Sequence, residues 1–116
     1  MSAARFSTED LAASLGFTPL NQARLPAREI TSVYCGDLLS HVMGTAPEGS
    51  AWVTVMNNIN VIAVASLAEV ACVIMAAGSR PNEDVIARAD EQGVLLFSGA
   101  GQIFETAFQV HEKLQL

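Results

Sequence analysis

Three short apolar runs lie in the middle of the chain, at Ala51–Met56, Cys72–Ala77 and Val94–Ser98. Each run consists largely of Val, Ile, Leu and other apolar residues, and none alternates regularly between apolar and polar positions. A strand that is covered on both faces has this pattern, whereas a half-exposed strand would alternate. The pattern therefore predicts three buried strands of a parallel sheet.

The segment Asn57–Val70 joins the first two runs, and its apolar positions fit either a strand or a helix. Two consecutive parallel strands need a crossover between them, and this is the segment available for it. We therefore predict a helix at about Asn60–Ala68. This helix is apolar nearly all round, so a surface position with one hydrated face does not suit it. A contact with a second subunit would explain its composition.

Helix and strand signals before these runs extend the sheet. Ser7 is a predicted N-cap and Gly16 a stop signal, so the first helix spans about Thr8–Leu15. A short edge strand at Phe17–Leu20 and a further strand at Ile30–Tyr34 follow this helix.

Three more helices follow predicted strands. One follows Gly36, has Asp37 as its expected N-cap and ends at Gly44. Another is capped by Asn82 and stopped by Gly93. The last helix follows the small turn Ser98–Gly101. One face of this helix carries Ile103, Phe104, Ala107, Phe108 and His111. Together the elements predict a single α/β domain over residues 1–116, with a mainly parallel sheet of four to five strands and helices on both faces.

The composition adds a prediction about assembly. Hydrophobic residues make up 51% of the 116 residues and charged residues 16%, so few charges are available to cover the surface of so small a domain. We expect apolar surface to be buried against another copy or another protein, and we predict a homo-oligomer, with a dimer favoured. The alternative is that Ala-rich helices raise the hydrophobic fraction without forming a patch.

Charge and buried amide groups argue against two classes of partner, nucleic acids and membranes. A protein that binds nucleic acid needs a basic face, and this chain has a net charge of −6 with only six Lys and Arg residues. Gly49–Ala68 is uncharged and has about the length of a bilayer span, but Asn57, Asn58 and Asn60 would place unsatisfied amides in its middle. We therefore expect neither nucleic acid nor membrane as a partner. Met1–Arg5 leads directly into a helix start, so the expected location is cytoplasmic.

The two cysteines, Cys35 and Cys72, lie in or beside predicted strands. We interpret them as small apolar residues in a reducing compartment rather than as a disulfide. Cys35 also lies close to a helix start, which lowers the pKa of a thiol, and His41 is near enough in sequence to act as its base. A Cys35-dependent enzyme is therefore an alternative. We predict no metal site and no cofactor, because no close-spaced ligand pair or glycine-rich phosphate loop is present.

The loops after the parallel strands form the candidate binding site, because ligands of open parallel sheets bind outside the carboxyl ends of the strands. Amide side chains, a helix N-terminus and Arg80, the single cation of these loops, could hold a small anion or the polar edge of a nucleotide. The candidate residues are Asp37, Asn57, Asn58, Asn60, Gly78, Ser79, Arg80, Ser98 and Gly99. The alternative is that the asparagines simply cap helices and the arginine is solvated.

Five phrases of the sequence resemble the DRTGG domain family. They are Leu11–Phe17 (LAASLGF), Arg28–Thr31 (REIT), Gly36–Ser40 (GDLLS), Val73–Glu83 (VIMAAGSRPNE) and Ala89–Leu96 (ADEQGVLL). The resemblance covers nearly the whole chain and extends to the N-terminal domain of HPr kinase/phosphorylase, which is similar in fold. DRTGG domains occur in phosphotransacetylases and beside CBS domains in nucleotide-regulated pyrophosphatases. The resemblance implies a small α/β domain of regulatory or assembly type, without a reaction of its own.

The chain departs from the family after the central strand, where Met56–Asn60 (MNNIN) replaces the Asp-Arg-Thr-Gly-Gly stretch. The arginine that could pair with a phosphate is missing, and so are the glycines that would admit a ligand to the backbone. We therefore expect a non-catalytic regulatory or assembly domain that acts through homo-oligomer or protein contacts, with sensing of a small metabolite as an additional role. An adenine-nucleotide-binding regulatory domain is the first alternative, and a Cys-dependent enzyme is the second.

Overall fold

The computed structural model describes residues 5–21 and 25–114, which contain five helices and five strands. The helices are α1 (Thr8–Leu15), α2 (Leu39–Thr45), α3 (Ile59–Ala68), α4 (Glu83–Gln92) and α5 (Ile103–Leu114). The strands are β1 (Thr18–Pro19), β2 (Ser32–Cys35), β3 (Ser50–Thr54), β4 (Cys72–Met75) and β5 (Leu96–Ser98). The crossover predicted at Asn60–Ala68 is a helix, and the predicted first helix has the same bounds in the structure.

The strands form one sheet in the order β1-β5-β4-β3-β2. The four strands from β2 to β5 are parallel, with Val33 opposite Ala51 and Trp52 opposite Val73. The two-residue β1 pairs antiparallel with β5 and is the short edge strand expected at Phe17–Leu20. The prediction of a mainly parallel α/β sheet is therefore confirmed.

Side chains of the central strands point alternately to the two faces of the sheet, as pleated strands require. Ala51 and Val53 pack in one hydrophobic cluster with Leu11 of α1 and Val110 of α5. Trp52, which lies between them, packs in the second cluster with residues of α2, α3 and α4. These residues include Val42, Val61, Ile62, Val85 and Ala89. Helices α1 and α5 therefore cover one face, and α2, α3 and α4 cover the other.

Helix α3 is the middle helix of its layer, because it contacts both α2 and α4. Its buried residues are Val61, Ile62, Val64 and Ala65. Ile59 and Leu67 lie on its outer side and are 36% and 71% exposed. Two neighbouring helices and the sheet thus account for most of the apolar character of α3 within a single chain. The predicted subunit contact on this helix stays a prediction.

Several element ends differ from those predicted. β2 spans Ser32–Cys35 rather than Ile30–Tyr34, β4 ends at Met75 rather than Ala77, and β5 begins at Leu96 rather than Val94. β3 ends at Thr54 rather than Met56, because the N–H of Val55 donates to Asp37 and the N–H of Met56 donates to the Thr54 hydroxyl instead of joining the sheet. Helix α2 continues through Gly44 to Thr45, with the N–H of Ala46 donating to the carbonyl of Val42.

The face predicted for α5 is only partly correct, because Ile103 and Ala107 pack in the core but Phe104, Phe108 and His111 do not. Thr106, Ala107 and Val110 are its buried residues, whereas Phe104 and Phe108 are 74% and 48% exposed and His111 is exposed. The inward positions Ile103, Ala107, Val110 and Leu114 also have helical spacing, and their smaller side chains face the sheet. The two phenylalanines therefore form a second apolar stripe outside the core.

Within the described residues, no helix combines the length and the apolarity needed to cross a membrane. The longest of these helices, α5, has 12 residues, whereas a bilayer span needs about 20. The expected cytoplasmic location was based on Met1–Arg5, and residues 1–4 of this segment lie outside the described residues. The extent of the predicted single domain over 1–116 likewise stays a prediction.

Asn21 completes the pairing of β5 beyond the end of β1. Its side chain donates from Nδ2 to the carbonyl of Val94 at 2.8 Å and accepts at Oδ1 from the N–H of Leu96 at 2.8 Å. The N–H of Leu20 donates to the carbonyl of Leu96. Asn21 is only 9% exposed, so its side chain satisfies backbone groups that solvent does not reach freely.

We expect Asn21→Ala to lower the free energy of unfolding by about 1–3 kcal/mol, because it leaves a buried N–H and a buried carbonyl without partners. Urea denaturation followed by circular dichroism measures this change. Asn60→Ala is the matched control, since Asn60 is exposed and its side chain forms no hydrogen bond with the described residues. Equal stability of the two variants would contradict the role assigned to Asn21.

Candidate functional site

The loops that follow β2, β3, β4 and β5 converge at one end of the sheet, which we call the carboxyl edge. Backbone hydrogen bonds join the last two of these loops. The N–H groups of Ala77 and Gly78 donate to the carbonyls of Gly101 and Gly99 at 2.7 and 3.0 Å. The N–H of Gly99 in turn donates to the carbonyl of Met75 at 2.9 Å. The predicted site residues Gly78 and Gly99 therefore hold two loops together.

The loop after β4 turns sharply through two residues with positive φ, Ala77 at 58° and Gly78 at 72°. The N–H of Ser79 donates to the carbonyl of Ala76, which closes a turn of the I′ type. Glycine adopts this backbone region readily, but alanine does so at a cost in free energy. The hydrogen bond from Ala77 to Gly101 offsets part of that cost.

Asn57 and Ser79 connect the loop after β3 to the loop after β4. Asn57 Nδ2 donates to Ser79 Oγ at 3.1 Å and to the carbonyl of Arg80 at 2.9 Å, and Ser79 Oγ donates to the carbonyl of Val55 at 2.9 Å. Both donors of the Asn57 amide, and the Ser79 hydroxyl proton, are thus used within the protein. These two predicted site residues position the loops.

Asp37 binds the end of the neighbouring strand. Its Oδ1 accepts from Thr54 Oγ1 at 2.6 Å and from the N–H of Val55 at 3.0 Å. The expectation that Asp37 caps α2 is wrong, because Leu38 occupies the N-cap position. Asn58 does cap α3, since its Oδ1 accepts from the N–H of Asn60 at 2.9 Å. The capping interpretation of Asn58 is therefore confirmed.

Within residues 5–21 and 25–114, Arg80 lines two clefts at the carboxyl edge. The larger, of about 430 Å³, is formed by the loops after β4 and β5, the end of α1 and the first turns of α5. Its predicted site residues are Gly78, Arg80, Ser98 and Gly99. The smaller, of about 290 Å³, lies at the N-termini of α3 and α4 and includes Asn57, Asn58 and Arg80. Asp37, Asn60 and Ser79 line neither cleft.

Each cleft that Arg80 lines is also lined by an acidic side chain. Glu105 lines the larger cleft and Asp84 the smaller. Glu105 Oε1 accepts from the N–H of Gln102 at 3.1 Å, so a carboxylate already occupies the start of α5, where an anion would bind. One arginine shared between two clefts, with a carboxylate in each, does not favour a ligand that carries several phosphates.

Neither cysteine has the lowered pKa of a reactive thiol. Cys35 is exposed at the end of β2, but partial burial of its sulfur raises its pKa, and the charge of Asp37 raises it further. Burial raises the pKa of the Cys72 thiol far above its ordinary value. The lowered pKa on which the Cys35 hypothesis depends is therefore wrong. Among the described residues, no group of His, Cys, Asp and Glu side chains could hold a metal ion.

We expect Asp37→Asn to increase the rate at which iodoacetamide alkylates Cys35 near neutral pH. The change removes the negative charge that opposes the thiolate, while an amide oxygen still accepts the bonds from Thr54 and Val55. Mass spectrometry of the folded protein measures the rate. Asp84→Asn, a change of the same charge on α4, should leave it unaltered, and equal rates in both variants would contradict the assigned role of Asp37.

No protein-family model matches the chain, and no curated protein matches it either. Among solved structures, the chain is similar to the CBS and DRTGG domains of the regulatory region of Clostridium perfringens pyrophosphatase, complexed with the activator diadenosine tetraphosphate. The TM-score is 0.70 at 13% sequence identity, over 87% of this chain and 44% of that chain. The chain has a DRTGG-like fold. This chain spans less than half of the length of that structure, so the likeness concerns the DRTGG-like fold alone.

Sequence reasoning missed several residues that build the carboxyl edge. Glu105 follows Gln102 by three residues, which is the spacing of a capping box and could have indicated its bond to the Gln102 N–H. Thr54, at the end of β3, bonds to Asp37, which follows β2, and no local sequence signal indicates such a pair. The contribution of Leu15–Thr18 to the larger cleft depends on β1 pairing with β5, which brings the start of the chain beside its last strand.

Proposed function

We propose that this chain is a non-catalytic, cytoplasmic regulatory or assembly domain that acts through contacts with a second copy of itself or with another protein. The observation that carries the proposal is a set of large apolar side chains outside the core, each at least 36% exposed. They are Leu38, Met43, Val55, Ile59, Leu67, Phe104 and Phe108. Exposed apolar side chains in such number on a small domain favour a protein-contact surface.

The chemistry of the carboxyl edge is consistent with this proposal. Its Asn57, Ser79 and Asp37 side chains donate to or accept from neighbouring loops, and Arg80 shares each of the two clefts with a carboxylate. The similar structure is a regulatory region of an enzyme, which supports a regulatory rather than a catalytic domain. A domain of this kind would act through the contacts that its surface makes with other protein chains.

Size-exclusion chromatography with multi-angle light scattering tests the proposal. At micromolar protein concentration we expect the mass of a dimer, or of a larger closed oligomer, rather than the 12.3 kDa of a single chain. The measured mass should fall when the protein is diluted to a concentration near the dissociation constant of the oligomer. A chain that stays monomeric at hundreds of micromolar would contradict self-association.

The second candidate is a regulatory domain that binds an adenine nucleotide. The observation in its favour is the pair of clefts that share Arg80, of about 430 and 290 Å³, on a fold similar to a regulatory region that was solved with diadenosine tetraphosphate. Small-molecule sites have volumes of this order.

A thermal-shift series with ATP, AMP and diadenosine tetraphosphate tests this candidate, because a ligand that binds the folded state raises the midpoint of unfolding. If the candidate is right, the midpoint rises with nucleotide concentration and Arg80→Gln abolishes the rise. Arg88→Gln is the matched control, since Arg88 lies on α4 and pairs with Glu91. An unchanged midpoint at millimolar nucleotide would exclude this function.

A further inference from the structure

The three helices that cover one face of the sheet differ in charge. Helix α4 carries one positive and four negative residues, so its net charge is −3. They are Glu83, Asp84, Arg88, Asp90 and Glu91. Helices α2 and α3 carry no formal charge in their 7 and 10 residues. A surface helix normally presents charged and polar side chains to water. Helix α4 has such a charged side, whereas α2 and α3 do not.

Most of the exposed large apolar side chains lie on these same two uncharged helices. Of the seven such side chains in the described residues, five belong to α2, to α3 or to the residues that lead into them. They are Leu38, Met43, Val55, Ile59 and Leu67. Leu67 is 71% exposed and Met43 is 46% exposed. Exposed apolar side chains that are grouped on one side of a molecule favour a contact surface there.

Ala63 lies at the centre of the outer side of α3. At about 100° of rotation per residue, it is opposite the centre of the buried side of this helix. Ser66 lines a cleft together with Gln92 at the end of α4, so Ser66 lies on the flank of α3 that faces α4. Leu67 lies about 100° beyond Ser66, past the position of Ala63. Leu67 is therefore on the flank of α3 that faces α2.

Met43 lies on the flank of α2 that faces α3. The opposite flank carries Thr45, whose hydroxyl is hydrogen-bonded to that of Tyr34 in β2. Met43 and Thr45 are about 160° apart around the helix, so Met43 points away from β2 and toward α3. Helices α2 and α3 contact each other directly. Met43, Ala63 and Leu67 therefore border one shallow groove between the two helices, which we call the α2–α3 groove.

Charge favours a second copy as the occupant of this groove and also indicates how it lies. The chain has a net charge of −6, so two copies repel each other over most of their surfaces, but α2 and α3 contribute no charge to that repulsion. A two-fold axis perpendicular to the helices would place the negative α4 opposite α4 of the second copy. An axis along the α2–α3 groove instead places α2 of each copy on α3 of the other and leaves both α4 helices outside.

We propose that two copies of this chain associate through the α2–α3 groove, about a two-fold axis parallel to the helices, so that α2 of each copy packs on α3 of the other. The resulting layer of four helices covers Met43, Ala63 and Leu67 of both copies. The small side chain of Ala63 allows the facing helix to approach closely. The charged side of α4 stays in water. This inference rests on the proposed function and specifies its surface.

Sedimentation-velocity centrifugation of two matched variants tests this surface. Ala63→Glu places an unpaired charge between α3 and α2 of the second copy and should raise the dimer dissociation constant by at least about tenfold. Ala87→Glu makes the same change at an exposed alanine of the neighbouring helix α4 and should leave the constant unchanged. Both alanines are exposed within one chain, so both variants should fold, which circular dichroism verifies.

Cross-linking gives a second readout that does not depend on loss of the dimer. Helices packed about 8–10 Å apart place the two α2 helices diagonally across the axis, at roughly 14 Å or less. Cys35 is exposed and Cys72 is buried, so Cys35→Ser removes the accessible native thiol. In that background, Met43→Cys should give a covalent dimer with a short bis-maleimide, and Ala87→Cys on the outer side of α4 should not.

The possible results separate this inference from the proposed function. A dimer whose dissociation constant is unchanged by Ala63→Glu, or that Met43→Cys fails to cross-link, overturns the α2–α3 surface but leaves the proposed function intact. A chain that stays monomeric at hundreds of micromolar overturns both this inference and the self-association on which it rests.

Discussion

Burial on both faces of the three central strands is the constraint on which the remainder of this structure depends. Every residue of β3, β4 and β5 is buried. Helices must therefore cover both faces, and α1 with α5 and α2 with α3 and α4 do so. Burying a polar side chain in these strands costs free energy unless it finds a partner inside the protein. Thr54 has such a partner, because its buried hydroxyl donates to Asp37 at the sheet end, whereas the buried Ser50 hydroxyl forms no hydrogen bond with the described residues.

The same constraint limits where the domain can present chemistry. Since the faces are covered, only the two ends and two lateral edges of the sheet remain accessible. At the carboxyl end, the loops bind one another through Asn57, Ser79 and the backbone of Gly99, which leaves a fixed surface with two small clefts. At the β1 edge, Pro19 and the Asn21 side chain end the strand pairing.

Predictions from the sequence were correct for elements with regular apolar patterns and were wrong where tertiary contacts determine which side chains are buried or bonded. The apolar runs indicated the parallel strands, and the crossover rule correctly selected a helix for α3. The predicted face of α5 was partly wrong because two apolar stripes share the helical spacing, and packing against the sheet selected the stripe with Ala107 and Val110. The prediction that Asp37 caps α2 was wrong because its carboxylate instead accepts a hydrogen bond from Thr54, at the end of β3. The rule for parallel sheets assigned the candidate site residues to one edge of the sheet. The hydrogen bonds of the Asn57 and Ser79 side chains depend on loop conformation, which the spacing of residues in the sequence does not indicate.

The strand order has a consequence for how the domain assembles during synthesis. From β2 to β5, each strand lies beside the one that precedes it in the chain, so each strand–helix–strand unit closes a short loop. The exception is β1, because Thr18 pairs with Ser98 and thus joins the first strand to the last. Helix α1 also packs in the cluster that contains Val110 of α5. Strand β1 therefore cannot join the sheet until β5 has also been synthesised.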